Sequence, residues 1–186
     1  DILGKSKNKS IVVNDATSSV VRDIARKHNA KYAETEAGET NVVNEMYRLK
    51  APVGGEGSSS GVIIPDSRCR DGILTLLFLI KIIAGKGKKI EELAMELPQY
   101  HSIKTKAAID SKKCPEIIRK IHNYYKRKNY KVTRSKAGSL KVLLSKNSFV
   151  WLRASKTEAN LLRVIADAPN KEQAELIVKE ALKLIK

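Results

Sequence analysis

Residues 11–25 read IVVNDATSSVVRDIA, a short apolar run followed by apolar residues at helical spacing. The run from Ile11 to Val13 fits a buried strand, and Asn14-Asp15 ends it. Thr17 or Ser18 can cap the helix that follows, because their hydroxyl oxygens accept hydrogen bonds from the first-turn N–H groups. The stretch therefore predicts a strand followed by a helix, the repeating unit of an α/β layer.

The same alternation continues through the first hundred residues. Residues 31–35 look extended, residues 41–49 read as a helix, and residues 62–64 read as a strand stopped by Pro65. A helix predicted over residues 71–84 contains the longest apolar run, which is too short and too charged to cross a bilayer. We expect this helix to be buried and the chain to have no membrane partner.

The pattern changes near residue 98. Strand-like runs and two amphipathic helices follow, the strands at 102–108, 141–144, 149–153 and 161–166 and the helices at 115–128 and from 170 onward. This predicts an antiparallel sheet covered by two helices. The expected fold class is α/β plus α+β, with domains at residues 1–98 and 99–186.

The chain is strongly basic, with a net charge of +16 over 186 residues. Clustered Lys and Arg can neutralise nucleic-acid phosphates, but here they lie in pairs and triplets at helix ends and turns, mixed with Glu. Aromatic residues make up only 5%, so stacking platforms for bases are scarce. A solvated lysine-rich surface is favoured, a basic rim that attracts an anionic small molecule is the alternative, and nucleic acid is an unlikely partner.

Few residues suggest redox or metal chemistry. Cys69 and Cys114 stand far apart without a CxxC partner, and the three histidines are scattered, so the sequence predicts neither a disulfide nor a metal site. No signal peptide opens the chain, which favours a cytoplasmic protein. Asp1 stands in place of an initiator Met, so we expect that preceding sequence is missing.

Two loops have compositions suited to ligand binding. Residues 54–61 hold four glycines, three serines and Glu56, which fits either a flexible linker or a shaped ligand loop. The flanking apolar residues and the carboxylate favour the ligand loop. Residues 153–158, RASKTE, supply a guanidinium, two hydroxyls and loop N–H groups, the donors that a phosphate needs, although a polar turn is the alternative.

These motifs resemble those of the alpha-D-phosphohexomutases, in family order along nearly the whole chain. RASKTEA at 153–159 resembles the phosphate loop Arg-Pro-Ser-Gly-Thr-Glu-Pro of the family's last domain. Gly55-Glu56-Gly57-Ser58 resembles the sugar-recognition loop of the third domain. Thr35 to Gly38 resembles the turn before that loop, and Asp71-Gly72 resembles the start of the next helix.

The resemblance implies a role for each loop. Residues 1–98 would be the third domain, in which Glu56 and Ser58 hold sugar hydroxyls. Residues 99–186 would be the C-terminal domain, whose loop binds phosphate through Arg153, Ser155 and Thr157, with Lys156 as an added phosphate-binding cation of this chain's own.

The resemblance also implies an activity for a longer parent enzyme. That enzyme would interconvert hexose 1-phosphate and hexose 6-phosphate through a phosphoserine and a bisphosphate intermediate. Its phosphorylated serine and Mg²⁺ ligands would lie in N-terminal domains missing here, which would be partners of this chain. We therefore expect no catalytic or metal-binding residue in these 186 residues and no activity from the chain alone.

Departures from the family pattern leave specificity open. Thr40 replaces a basic residue after the turn glycine, and Ser60 replaces a histidine at the end of the sugar loop. Ala154, Lys156 and Ala159 replace Pro, Gly and Pro of the phosphate loop, and Lys156 adds a cation. The alternative functions are a non-catalytic sugar-phosphate-binding or assembly module and, less favoured, a basic RNA-binding protein.

Overall fold

A computed structural model describes residues 2–57, 61–155 and 157–185. The chain divides into two compact units, an N-terminal unit of residues 1–99 and a C-terminal unit of residues 100–186. Each unit has its own sheet and its own hydrophobic core.

The N-terminal unit alternates strands and helices around a four-stranded sheet with the order β2-β1-β3-β4. Strand β1 is parallel to both β2 and β3, whereas β4 is antiparallel to β3. Its elements are α1 (Ile2–Lys5), β1 (Ser10–Asn14), α2 (Ser19–Lys27), β2 (Lys31–Thr35), α3 (Glu39–Leu49), β3 (Val53–Gly55), β4 (Val62–Ile63), α4 (Gly72–Lys86) and α5 (Ile90–Met95). The core of the unit lies where α3 packs on the sheet, and it contains Val12, Val42, Met46, Ala51 and Ile63.

Local sequence sets where these helices begin. The Ser18 hydroxyl accepts a hydrogen bond from the N–H of Val20 and caps α2, and the Asp71 carboxylate accepts one from the N–H of Leu74 and caps α4. Strands β1, β2 and β3 run in the same direction, so their carboxyl ends meet at one edge of the sheet. Ligand sites of open parallel sheets form at this edge.

The C-terminal unit is a five-stranded antiparallel sheet with the order β5-β9-β8-β7-β6. Its elements are β5 (His101–Ala108), α6 (Cys114–Arg127) after a short 3-10 turn, β6 (Lys131–Arg134), β7 (Leu140–Ser145), β8 (Ser148–Ala154), β9 (Leu161–Ala168) and α7 (Lys171–Ile185). Both helices contribute to one core with the sheet, which includes Ile121, Tyr125, Leu152, Leu162 and Ala181.

The expected fold class is confirmed: an α/β unit is followed by an antiparallel sheet covered by two helices. Strand β6 was not predicted, since it is four residues long and Val132 is its one large apolar residue.

The expectation that the helix over residues 71–84 is buried is wrong. Helix α4 occupies residues 72–86 and contains no buried residue, and Ile73 is 77% exposed. The reason is that this helix is apolar on every side, whereas a helix lying on a sheet can turn only part of its circumference inward. Among the described residues, no helix combines the length and hydropathy needed to span a membrane.

Candidate functional site

Glu56 lies directly after β3, at the carboxyl edge of the N-terminal sheet. Its side chain is only 9% exposed. One carboxylate oxygen, Oε1, accepts hydrogen bonds from Asn14 Nδ2 at 3.0 Å and from the N–H of Gly38 at 2.7 Å. The other oxygen, Oε2, lies 3.5 Å from Nη1 of Arg70. Contacts from three segments of the unit therefore fix the orientation of this carboxylate.

Arg70 joins Glu56 to the first residue of α3. Its Nε donates to Glu39 Oε2 at 2.5 Å, and its backbone N–H donates to the same oxygen at 3.0 Å. These hydrogen bonds hold the pKa of Glu39 below its usual value, and the hydrogen bond to Glu39 raises the pKa of Arg70. The edge of the sheet thus presents one cation between two carboxylates.

Two glycines let the backbone reach this network. The N–H of Gly57 donates to Thr17 Oγ1 at 3.0 Å, and a Cβ at residue 57 would come within 2.6 Å of the Thr17 Cα. Gly38 precedes α3 with a φ of 146°, a conformation that favours glycine, and this geometry directs its N–H to Glu56. Ser58, the second predicted sugar-binding residue, lies outside the described residues.

The second polar loop lies between β8 and β9 of the C-terminal unit. The N–H of Ser155 donates to the carbonyl of Leu161 at 2.8 Å, and the Ser155 hydroxyl accepts from the N–H of Glu158 at 3.2 Å. Arg153 lies near the end of β8, and its guanidinium carbon is 5.4 Å from the ring centroid of Trp151. Lys156 lies outside the described residues.

Arg163 of β9 was not predicted as a site residue, yet its side chain contacts this loop. Arg163 Nη2 donates to Thr157 Oγ1 at 3.0 Å. The strand register sets Arg163 directly opposite Arg153 on one side and Lys106 on the other. Its neighbours Leu162 and Val164 are buried, so strand alternation puts Arg163 on the opposite face of the sheet. A basic residue between two core residues was the one available signal.

Lys106, Arg163 and Arg153 therefore form a row of three cations across the adjacent strands β5, β9 and β8. Glu158 offsets part of this charge, since its carboxylate lies 2.6 Å from Lys106 Nζ and 3.6 Å from Arg163 Nη2. The hydrogen bond from Lys106 is the main cause that lowers the pKa of Glu158. Like charges directly opposite one another destabilise strand pairing, so an anion beside the Arg153–Arg163 pair would be favourable.

Groups that could bind a metal or react as thiols are few among the described residues. Within them, no group of three or more His, Cys, Asp or Glu side chains could hold a metal ion. Cys69 and Cys114 are both outside any disulfide, and burial raises the pKa of the Cys114 thiol.

Comparison with known proteins gives these two loops a context. Residues 2–101 match the family model described as phosphoglucomutase/phosphomannomutase, alpha/beta/alpha domain III. The chain is 31% identical over 185 residues to a phosphoglucomutase/phosphomannomutase of Thermococcus kodakarensis, covering 99% of this chain and 39% of that protein. It is 28% identical to a phosphoglucosamine mutase of Carboxydothermus hydrogenoformans, covering 98% of this chain and 38% of that protein.

Solved structures share the fold. The Paramecium phosphoglucomutase parafusin matches with a TM-score of 0.79 at 19% identity, over 97% of this chain and 38% of that one. The N-acetylphosphoglucosamine mutase of Aspergillus fumigatus, in complex with GlcNAc-6P and magnesium, matches with a TM-score of 0.64 at 16% identity, over 95% of this chain and 38% of that one. The resemblance read from the sequence motifs is confirmed by the family match over residues 2–101. This chain belongs to the phosphoglucomutase/phosphomannomutase family.

Proposed function

We propose that this chain is the substrate-binding C-terminal part of a phosphohexomutase, which interconverts hexose 1-phosphate and hexose 6-phosphate through a phosphoserine and a hexose bisphosphate. The observation that carries the proposal is the presence of two complementary loops in one chain. One loop holds an oriented carboxylate, and the other combines hydroxyls with paired guanidinium groups. The first loop suits sugar hydroxyls, and the second suits a phosphate.

In this proposal Glu56 and Ser58 both bind sugar hydroxyls. A carboxylate accepts hydrogen bonds through both oxygens, and Oε1 of Glu56 already has two donors within the protein. Sugar hydroxyls would therefore donate to Oε2. Arg70 Nη1 lies 3.5 Å from the same oxygen, so a sugar hydroxyl that donates to Oε2 would lie beside this guanidinium.

The phosphate that is not being transferred would bind at the second loop. The planar fork of Arg153 can donate two parallel hydrogen bonds to phosphate oxygens. Ser155 and Thr157 add hydroxyls, Arg163 adds a second guanidinium on the opposite strand, and Lys156 adds a nearby cation. This arrangement would hold the sugar phosphate by its distal end while the other end reacts.

The chemical step needs groups that the described residues do not supply. Phosphoryl transfer to and from a serine requires that nucleophile and a metal ion to neutralise the transferred group. No described cluster fits a metal ion, so we propose that the Mg²⁺ ligands belong to other domains of the parent enzyme. The purified chain should then show no turnover of glucose 1-phosphate. Turnover in a preparation free of contaminating mutase would contradict this.

The remaining domains are also the proposed partners of this chain. The chain spans 39% of the Thermococcus kodakarensis relative and 38% of the Carboxydothermus hydrogenoformans relative. Helix α4 exposes apolar side chains on several sides, namely Ile73, Leu76, Leu77 and Ile80. Apolar surface of this kind is typical of contacts with another protein or domain. We propose that other domains of the parent enzyme cover α4.

The proposal is tested by NMR titration of the chain with glucose 1-phosphate, with inorganic phosphate as the comparison ligand. We expect the hydroxyls of the sugar phosphate to shift the amide signal of Gly57 in the first loop and its phosphate to shift that of Ser155 in the second, each loop being followed separately. Inorganic phosphate should shift Ser155 alone, since it lacks the sugar hydroxyls that would donate hydrogen bonds to Glu56. Spectra that stay unchanged at millimolar concentrations of the sugar phosphate would rule out the substrate-binding role.

A further inference from the structure

We infer that Asn14 is a positioning residue for sugar recognition, because its side chain determines which oxygen of Glu56 is presented to the ligand. The inference rests on the proposed function, in which Glu56 receives sugar hydroxyls. It assigns a role to a residue at the end of β1 that makes no contact with the ligand in this scheme.

Asn14 is buried, with 1% of its surface exposed, and both ends of its amide are paired. Nδ2 donates to Glu56 Oε1 at 3.0 Å. Oδ1 accepts from the Thr17 hydroxyl at 2.7 Å and faces the N–H of Gly57 at 3.5 Å. Buried polar atoms need such partners, because an unpaired one keeps the full cost of losing its water.

An amide is suited to this position because it donates at one end and accepts at the other. The donating end holds a carboxylate, and the accepting end holds the segment that follows β1 and the backbone just after Glu56. With the N–H of Gly38 as a second donor, Oε1 is occupied from two directions. Rotation of the carboxylate would break both hydrogen bonds, so Oε2 is kept toward Arg70 and available to a sugar hydroxyl.

The substitution Asn14→Asp separates this role from a general structural one. Aspartate has the same shape and keeps an oxygen for Thr17, but it replaces the donor to Glu56 with a second carboxylate oxygen. We expect glucose 1-phosphate affinity to fall at least about 10-fold at pH 8, from the loss of one charge-assisted hydrogen bond. Affinity should recover relative to wild type as the pH is lowered, because two adjacent carboxylates then share a proton that restores the hydrogen bond.

The matched control is Asn41→Asp. Asn41 lies in α3 near the same edge of the sheet, is exposed, and donates to the Glu36 carbonyl rather than to Glu56. It adds the same negative charge near the anionic ligand, so it measures the purely electrostatic effect. Equal affinities of the two variants at both pH values would overturn the inference.

Two measurements do not depend on ligand binding or on the folding of Asn14→Asp. In the unliganded chain with Asn14 intact, Glu56→Gln should shift the side-chain NH₂ signal of Asn14, whereas Glu36→Gln should leave it in place. An unmoved Asn14 signal in Glu56→Gln would overturn the pairing itself. The wild-type chain could fail to bind glucose 1-phosphate although the Asn14 signal responds to Glu56→Gln. In that case the proposed function is wrong, but the conclusion that Asn14 holds the Glu56 carboxylate in place is kept.

Discussion

Arg153 and Arg163 illustrate how much of the proposed phosphate site depends on single residues held in register. The two guanidinium groups belong to facing residues of β8 and β9, and Thr157 accepts a hydrogen bond from one of them. An arginine fork binds two oxygens of an anion at fixed spacing, which a flexible lysine does not. Loss of one arginine should therefore weaken phosphate binding more than loss of a nearby lysine charge.

We predict that Arg153→Ala weakens hexose phosphate binding by about 10-fold to 150-fold, corresponding to one charge-assisted hydrogen bond of roughly 1.5 to 3 kcal/mol. The control Arg134→Ala removes an exposed arginine from β6 and should have little effect on hexose phosphate binding. The measurement is titration calorimetry with glucose 1-phosphate at two salt concentrations.

Lys156→Ala is the comparison that can contradict this prediction. A hydrated surface cation contributes about 1 kcal/mol or less, and salt screens it. If Arg153→Ala and Lys156→Ala caused equal losses that vanished at high salt, the loop would be a diffuse basic patch rather than a shaped phosphate site.

Tyr125 is a buried residue of α6 whose hydroxyl has no hydrogen-bond partner among the described residues. Burial is the main cause that raises its pKa well above the usual value. An unpaired buried hydroxyl costs free energy, because it loses water without gaining a partner. The Tyr125→Phe variant should therefore be more stable than the wild type by about 1 kcal/mol at neutral pH.

The same substitution should also change how the free energy of unfolding depends on pH. In the folded protein the raised pKa keeps Tyr125 neutral, whereas in the unfolded chain it ionises near the usual value of about 10. The free energy of unfolding of the wild type should therefore fall as the pH rises above about 10, relative to Tyr125→Phe. Urea titrations of both proteins at neutral and alkaline pH measure this difference. A stability difference that stays constant with pH would contradict the burial of an ionisable hydroxyl.

The proposed roles of Glu56 and Arg153 rest on their own loops and could be read from the sequence, whereas those of Asn14 and Arg163 rest on contacts between segments and could not. Glu56 and Arg153 stood out because a carboxylate in a glycine loop and an arginine beside two hydroxyls are unusual locally. Asn14 resembled the turn after a strand. Arg163 resembled an exposed strand residue, because its partners Thr157 and Arg153 become visible only when the register of β8 and β9 is known.

At the level of elements, hydrophobic periodicity predicts where helices and strands lie. It predicts which side packs only when the apolar residues share one face. Helix α6 was predicted because its apolar residues share one face, and β7, β8 and β9 because apolar runs end at clear turns. Helix α4 was placed correctly along the chain but not in the core, since a helix that is apolar all round does not indicate which side packs.

The exposure of α4 can be measured with two identical substitutions in the N-terminal unit. Ile63 in β4 is 0% exposed, whereas Ile73 in α4 is 77% exposed. Ile63→Ala should lower the free energy of unfolding by about 2 to 5 kcal/mol, because it leaves a cavity. Ile73→Ala should change it by no more than about 0.5 kcal/mol in either direction. Denaturant titration gives both values, and a large loss from Ile73→Ala would mean that α4 packs within the unit.

At the level of the whole molecule, the chain is organised as two units that meet in sequence between Gln99 and Tyr100. Since each unit has a core of its own, we propose that residues 1–98 and 99–186 fold as separate domains. Limited proteolysis should then cut between Gln99 and Ser102 and release two fragments that retain their circular dichroism. An uncut chain, under conditions that cleave other exposed loops, would argue for a single cooperative fold.

The order of the C-terminal strands leaves β5 and β6 at the two edges of the sheet. An edge strand offers backbone N–H and C=O groups to any extended chain that approaches it, which is a route to aggregation. The charged residues of β5 are Lys104 and Lys106, those of β6 are Lys131 and Arg134, and neither strand contains an acidic residue. When two molecules meet edge to edge, these like charges repel each other before strands can pair. This repulsion opposes edge-to-edge pairing, and it should weaken as salt screens it.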